Sequence, residues 1–199
     1  MSSETQGDVA ERELPDGDMV KATHEQVSVY YEVIVEIVKG CAFESFLEIG
    51  IGCGVLAGKL AERCPLLKQV TGVDILDGDL PPDGVEWIRE VSSDDFFRTD
   101  DRKWDAIFID GDHMRPQTDR DVINAMRVLN DDGLIFMHDT YPPNSDPQTT
   151  GHKVCGDVYK TYLALAERTD LEVVTLPLWC GLTIVRRVHE RRLWTREEN

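Results

Sequence analysis

Four side chains able to move protons stand just past two apolar runs of this 199-residue chain. Asp110 and His113 follow Ala106–Ile109, and His138 and Asp139 follow Leu134–Met137. In an open α/β sheet the carboxyl ends of the strands border the ligand crevice. Two neighbouring strands would therefore deliver Asp110, His113, His138 and Asp139 to one rim, the densest titratable cluster the sequence offers. A positioned histidine can take a proton from a reacting group, and such a base contributes roughly 10²–10⁴-fold to rate. His113 is the candidate base. A plainer role for it is to cap the helix expected to start near Arg115-Pro116.

A second set of residues speaks for a nucleotide-type ligand. Phe46-Leu-Glu-Ile49 runs into glycines at 50, 52 and 54, and Val55–Arg63 follows with helical spacing. Glycines there let the backbone turn tightly and approach a ligand without Cβ interference. The following helix presents unpaired N–H groups to it. Gly52-x-Gly54-x-x-Ala57, with Asp74 20 residues beyond Gly54, also satisfies a dinucleotide fingerprint. Glu48 breaks the tie. A carboxylate beside the turn suits the cationic amino group and sulfonium of S-adenosylmethionine, whereas it would repel a pyrophosphate.

The elements that must position these residues alternate along the chain. Strands are expected near 44–49, 69–74, 85–90, 104–110, 132–138, 171–176 and 180–187. Helices are expected near 54–63, 116–129 and 153–168, with a short one beginning at Ser93. Such alternation predicts an α/β fold: a doubly wound, Rossmann-like, mostly parallel seven-stranded sheet with helices on both faces. Val173–Leu176 and Leu182–Val185 are joined by a short Pro177/Gly181 connection with no helix, so they should pair antiparallel at one edge. Upstream, Thr23 and Gln26 can form a capping box. Val27, Tyr30, Tyr31, Ile34, Ile37 and Val38 then recur at helical spacing, and Gly40 can close that helix. It should pack on the sheet edge, with room to cover the ligand site as well. Residues 1–20 are polar and acidic, and read as a disordered arm. Residues 21–190 form one domain and 191–199 a polar tail. The polar stretch 140–152 reads as a long functional loop, with His152, Asp157 and Tyr159 around it as possible lining of an acceptor pocket.

Bulk composition narrows the partners. Lys+Arg 21 against Asp+Glu 38 gives a net charge of −17. That field repels phosphate backbones and anionic lipid surfaces, so neither nucleic acid nor a membrane is an expected partner. Five cysteines (41, 53, 64, 155 and 180) show no CxxC spacing. They read as reduced thiols of an intracellular protein, not as a disulfide set or a zinc site. No apolar run reaches membrane-spanning length and the N-terminus lacks a secretory pattern, so the cytoplasm is the expected location. A homo-oligomer is compatible with all of this.

These segments resemble a known family. Glu48-Ile-Gly-Ile-Gly-Cys-Gly54 is similar to the first motif of class I S-adenosylmethionine-dependent methyltransferases, and Gly72-Val-Asp-Ile75 to the second. The resemblance continues through Ser92-Ser-Asp-Asp-Phe-Phe97, Trp104–His113, Leu134–Pro143 and Gly156-Asp-Val-Tyr-Lys160, covering roughly residues 44–187. Together these resemble small bacterial enzymes associated with O-methylation of sugars and natural products. The resemblance implies Glu48, Gly50, Ile51, Gly52 and Gly54 around the methionine and ribose of the donor. It implies Asp74 and Ile75 at the ribose and adenine edge, Ser92, Ser93 and Asp94 by the adenine, and Asp110 bordering donor and acceptor. A helix N-cap is the competing role for Ser93 and Asp94. Relatives with an Asp-x-x-His pattern, here Asp110 and His113, imply His113 as base, with Asp110 and Asp139 completing the catalytic set. Some relatives bind Mg²⁺, which would map to Asp110, His138 and Asp139. A histidine there departs from the oxygen set a hard cation prefers, and Mn²⁺ or Zn²⁺ would tolerate it better. The expected activity is transfer of a methyl group to a hydroxyl of a small molecule. Alternatives are a non-catalytic S-adenosylmethionine-binding module and, less favoured, an NAD-dependent oxidoreductase. An adenine-amino methyltransferase of nucleic acids would need Asp/Asn-Pro-Pro-Tyr where Asp110-Gly-Asp-His113 stands.

Overall fold

The computed structural model describes residues 24–77, 81–142 and 155–188. The expected arm, Thr23 of the capping box, His152, most of the 140–152 loop and the tail lie outside the described residues. In chain order the elements are α1 (His24–Gly40), β1 (Ser45–Ile49), α2 (Val55–Arg63), β2 (Gln69–Val73), β3 (Glu86–Ile88) and α3 (Ser93–Thr99). There follow β4 (Trp104–Ile109), α4 (Arg115–Val128), β5 (Leu129–His138), α5 (Tyr159–Ala166), β6 (Leu171–Leu176) and β7 (Leu182–Arg187). One seven-stranded sheet runs β3-β2-β1-β4-β5-β7-β6. It is parallel from β3 to β5, and β7 is antiparallel to both β5 and β6. The expected architecture and its antiparallel edge pair are therefore present.

Side-chain alternation shows why the central strands read as near-continuous apolar runs. Leu47, Ile49, Ile107, Ile109, Ile135 and Met137 point to one face, where α3 and α4 add Phe96, Phe97, Val122 and Ala125. Phe46, Ala106, Phe108 and Phe136 point to the other, where α1 and α2 add Ile34, Val38, Leu56 and Leu60. Strands covered on both faces read as near-continuous apolar runs. At the amino ends of the strands, Asp105 fastens three of them together. Its carboxylate accepts from the backbone N–H groups of Glu44 (2.9 Å) and Ser45 (3.1 Å), and from Asn130 Nδ2 at 2.6 Å.

Two boundaries differ from expectation. β5 begins at Leu129 instead of 132, with Trp104 paired to Leu129 and Ala106 to Leu134 across a bulge. The exposed Asp131-Asp132 pair has turn chemistry, so the sequence hides a strand that bulges through it. α5 begins at Tyr159, after Gly156–Val158 in turns tied to His113, while 153 and 154 lie outside the described residues. The strand order reverses between β1 and β4. Their carboxyl ends, carrying Gly50 and Asp110, therefore border the crevice where such sheets bind ligands.

Candidate active site

The turn after β1 is built for close approach. Gly50, Gly52 and Gly54 have φ of 84°, 56° and 72°, a left-handed conformation that disfavours other residues. A Cβ on Gly50 would lie 2.3 Å from the Asp110 carbonyl oxygen, so glycine is what lets β1 and β4 end side by side. A Cβ on Gly52 would meet nothing within 4 Å, which leaves open space over that part of the turn. Asp74, past the end of β2, holds the turn in place. One of its oxygens accepts from Gly52 N and the other from Leu76 N, both at 2.9 Å. Ile51 is buried over Gly72, where any Cβ would collide with it.

Glu48 is only 2% exposed, and its Oε2 has no hydrogen-bond partner. Burial pushes its carboxyl well above the usual range, and the negative charges of Asp110 and Asp74 add to this; the Ala57 N–H opposes it. Ile75 and Leu76, by contrast, are 67% and 66% exposed, an apolar surface beside Asp74. Ser92, not Ser93, caps α3, its hydroxyl accepting from Asp95 N at 3.1 Å. Ser93 accepts from Gln117 Nε2 (3.0 Å) and Asp94 pairs with Arg120 (3.2 Å), so both tie α3 to α4.

The structure brings Asp110, His113, His138 and Asp139 together. Asp139 sits in a left-handed conformation (φ 59°) just past β5 and is 2% exposed. The next residues are fixed against the β6–β7 turn: Tyr141 N donates to Cys180 O (2.7 Å), and Thr183 Oγ1 donates to Thr140 Oγ1 (2.7 Å). His113 is fixed from the far side of the chain. Gly156 packs so tightly on its carbonyl that a Cβ would collide with it. Asp157 N donates to that carbonyl at 3.0 Å, and the Asp157 carboxylate accepts from Arg115 N at 2.5 Å, at the start of α4.

The imidazoles have different surroundings. His113 Nδ1 lies 3.1 Å from Asp139 Oδ2, and its Nε2 lies 3.7 Å from Asp110 Oδ1. His138 Nε2 is 3.1 Å from the Trp179 carbonyl, which can only accept, so Nε2 carries a hydrogen. Its Nδ1 is 3.3 Å from both Asp110 and Asp139, and its ring stacks on Tyr30 at 4.3 Å. Burial alone would pull the His138 pKa down, but Asp110 and then Asp139 outweigh it and push it up to about 9. At neutral pH His138 is thus a buried imidazolium between two acids. Burial pushes Asp139 up, and His138 and His113 pull it back. α1 therefore does more than pack on the sheet: through Tyr30 it closes one side of the site.

A cleft of about 180 Å³, including its open mouth, is bounded by Asp110, His113, Thr118, His138, Asp139 and Val158. Of the metal set expected from sequence, Asp110 and Asp139 both lie 3.3 Å from His138 Nδ1. Asp110, His113 and Asp139 offer one ligand atom each, all within 4.8 Å of one another, while His138 already faces both acids. Asp157 fastens the His113 segment. Sequence reasoning did not find the Trp179 carbonyl or the role of Gly156, and no short motif announces either.

Residues 47–140 match a family profile described as a methyltransferase domain. No curated protein matches the chain by sequence. Among solved structures, the chain is similar to an S-adenosylhomocysteine-bound methyltransferase of Podospora anserina, with 18% identity and TM-score 0.66 over 88% of this chain and 82% of that one. It is also similar to the S-adenosylmethionine-bound O-methyltransferase TomG of Streptomyces achromogenes (15%, TM-score 0.63, 87% and 84%). An S-adenosylhomocysteine-bound O-methyltransferase of Bacillus cereus has the same fold (15%, TM-score 0.60, 88% and 84%).

Proposed function

The chain carries a class I methyltransferase domain, and from that premise we propose that it moves a methyl group from S-adenosylmethionine to a hydroxyl of a small molecule, with His113 as general base. The residues of the first turn fit such a donor. Glu48 has a buried oxygen without a partner for the ammonium, Gly52 leaves room above the turn, and Ile75 offers exposed apolar surface to an adenine. Asp74 would keep its hold on Gly52 while accepting from ribose hydroxyls through its remaining lone pairs. When bound, the donor supplies an electrophilic methyl on a sulfonium; the chain's own task is to orient the acceptor oxygen and take its proton.

One observation carries the base assignment: His113 Nδ1 faces Asp139 Oδ2 at 3.1 Å. An ionised carboxylate there favours the tautomer with hydrogen on Nδ1, which puts the lone pair on Nε2, the nitrogen on the Asp110 side. Asp139 would then act as an orienting acid and stabilise the imidazolium formed on proton transfer. Asp110, on the cleft wall, would accept a hydrogen bond from a neighbouring hydroxyl of a polyhydroxylated acceptor. His138 keeps the two acids from repelling each other. A sugar or natural product is the acceptor class this rim supports. The acidic field disfavours nucleic acid, and five free thiols support a cytoplasmic location. No helix among the described residues is long and apolar enough to cross a membrane.

Incubation with methyl-labelled donor and a panel of hydroxylated small molecules tests the reading. Wild type should transfer label to oxygen. His113→Ala should lower turnover by roughly 10²–10⁴-fold and change donor affinity by no more than a few-fold. Unchanged turnover would remove the base role. A divalent cation is the second reading, favoured by the convergence of Asp110, His113 and Asp139. Full activity in EDTA, with no stimulation by Mg²⁺ or Mn²⁺, would dismiss it.

A further inference from the structure

Beside Asp139, and not among the residues bounding the cleft, are two buried thiols. Cys155 opens the segment packed against His113, and Cys180 stands in the turn between β6 and β7. The two sulfurs and a carboxylate oxygen of Asp139 all lie within 4.8 Å of one another. Asp139 Oδ2 is itself fully buried and faces His113 Nδ1 at 3.1 Å. A borderline-soft cation is what such a set selects, because thiolates favour zinc-like ions over Mg²⁺. We propose that Asp139, Cys155 and Cys180 form a binding site for a thiophilic divalent cation of the zinc type.

The dimensions are suitable. Zn–S near 2.3 Å and Zn–O near 2.1 Å place tetrahedral ligands roughly 3.5 Å apart. The three atoms, within 4.8 Å as they stand, need to close by only about an ångström. Two thiolates and one carboxylate bring three negative charges to a dication. Binding must displace the thiol protons, so it tightens as pH rises. The 25-residue separation of Cys155 and Cys180 lacks any zinc-type spacing, which is why the sequence reads them as plain thiols. If Asp139 orients His113, as the proposed function has it, an ion at this site takes that carboxylate away and slows methyl transfer. The site itself does not depend on that reading.

Cobalt(II) is the probe, added to the full chain under a phosphine reductant. One equivalent should give thiolate-to-cobalt charge-transfer absorption, bleached by one equivalent of Zn²⁺ and unaffected by excess Mg²⁺. Cys155→Ser and Cys180→Ser should each lose the band, while a Cys41→Ser/Cys53→Ser double variant keeps it. The wild-type spectrum needs no variant to fold. Absence of thiolate absorption in wild type would overturn the site. So would a band that survives in Cys155→Ser and Cys180→Ser but disappears with the exposed cysteines. Failure to bind S-adenosylmethionine would leave this result unaffected and would count only against the proposed function.

Discussion

Replacing Glu48 by Gln separates the folding role of this buried acid from its role toward the donor. In the free chain one of its oxygens has no partner, and burial with two nearby carboxylates favours the protonated form. Glutamine is neutral and of the same shape, so folding stability should change by no more than about 1 kcal/mol. Donor binding is different. An ammonium facing Glu48 would draw the carboxyl back to its ionised form and gain a charge-assisted hydrogen bond worth roughly 1.5–3 kcal/mol. Losing it should weaken S-adenosylmethionine binding by roughly 10- to 150-fold. Calorimetric titration gives the affinity. Repeating it in buffers of different ionisation enthalpy should show proton release with wild type and less with Glu48→Gln. Thermal unfolding gives the stability. Unchanged donor affinity in Glu48→Gln, or a large loss of stability without loss of affinity, would refute the assignment of Glu48 to the methionine end.

Other substitutions test how the frame holds the site. Gly50→Ala should destabilise by about 2–5 kcal/mol, combining left-handed strain with overpacking against Asp110 and Gly111; Gly52→Ala should cost only the strain, about 1–2 kcal/mol, and both are read from thermal melts. Asp105 supplies an acid-sensitive contact. Burial would raise its pKa, but hydrogen bonds from Asn130, Glu44 and Ser45 outweigh that and hold the carboxyl below its ordinary value. Its contribution is therefore present above the unfolded pKa, near 3.9, and is lost as pH falls through the lower folded value. The difference in Tm between wild type and Asp105→Ala, clear at pH 6, should shrink as pH drops below about 4.

The sheet was legible because each central strand is an apolar run with one residue type of periodicity on each face. Phe46 and Phe108 against α1 and α2, and Leu47 and Ile107 against α3 and α4, are products of that alternation. The reacting cluster was legible for a related reason: strands that end together put Asp110 and Asp139 together. What sequence could not supply was contact between distant segments. Tyr30 stacks on His138 from 108 positions away in the chain, and Gly156 fixes His113 from 43 positions away, neither at any regular spacing. Local chemistry at Asp131-Asp132 favours a turn, which the expected strand start at 132 followed; pairing with β4 overrides it. Ser93 and Asp94 show the same limit in the site. Their contacts to Gln117 and Arg120 join two helices, which a motif at the start of α3 does not reveal.

The claim on which the functional reading rests is that the turn at Gly50–Gly54 takes a methyl donor and not a dinucleotide. Parallel calorimetric titrations of the wild-type chain with S-adenosylmethionine and with NAD test it most directly. The account predicts saturable, one-to-one binding of S-adenosylmethionine and no heat of binding with NAD. Binding of NAD without S-adenosylmethionine would contradict it.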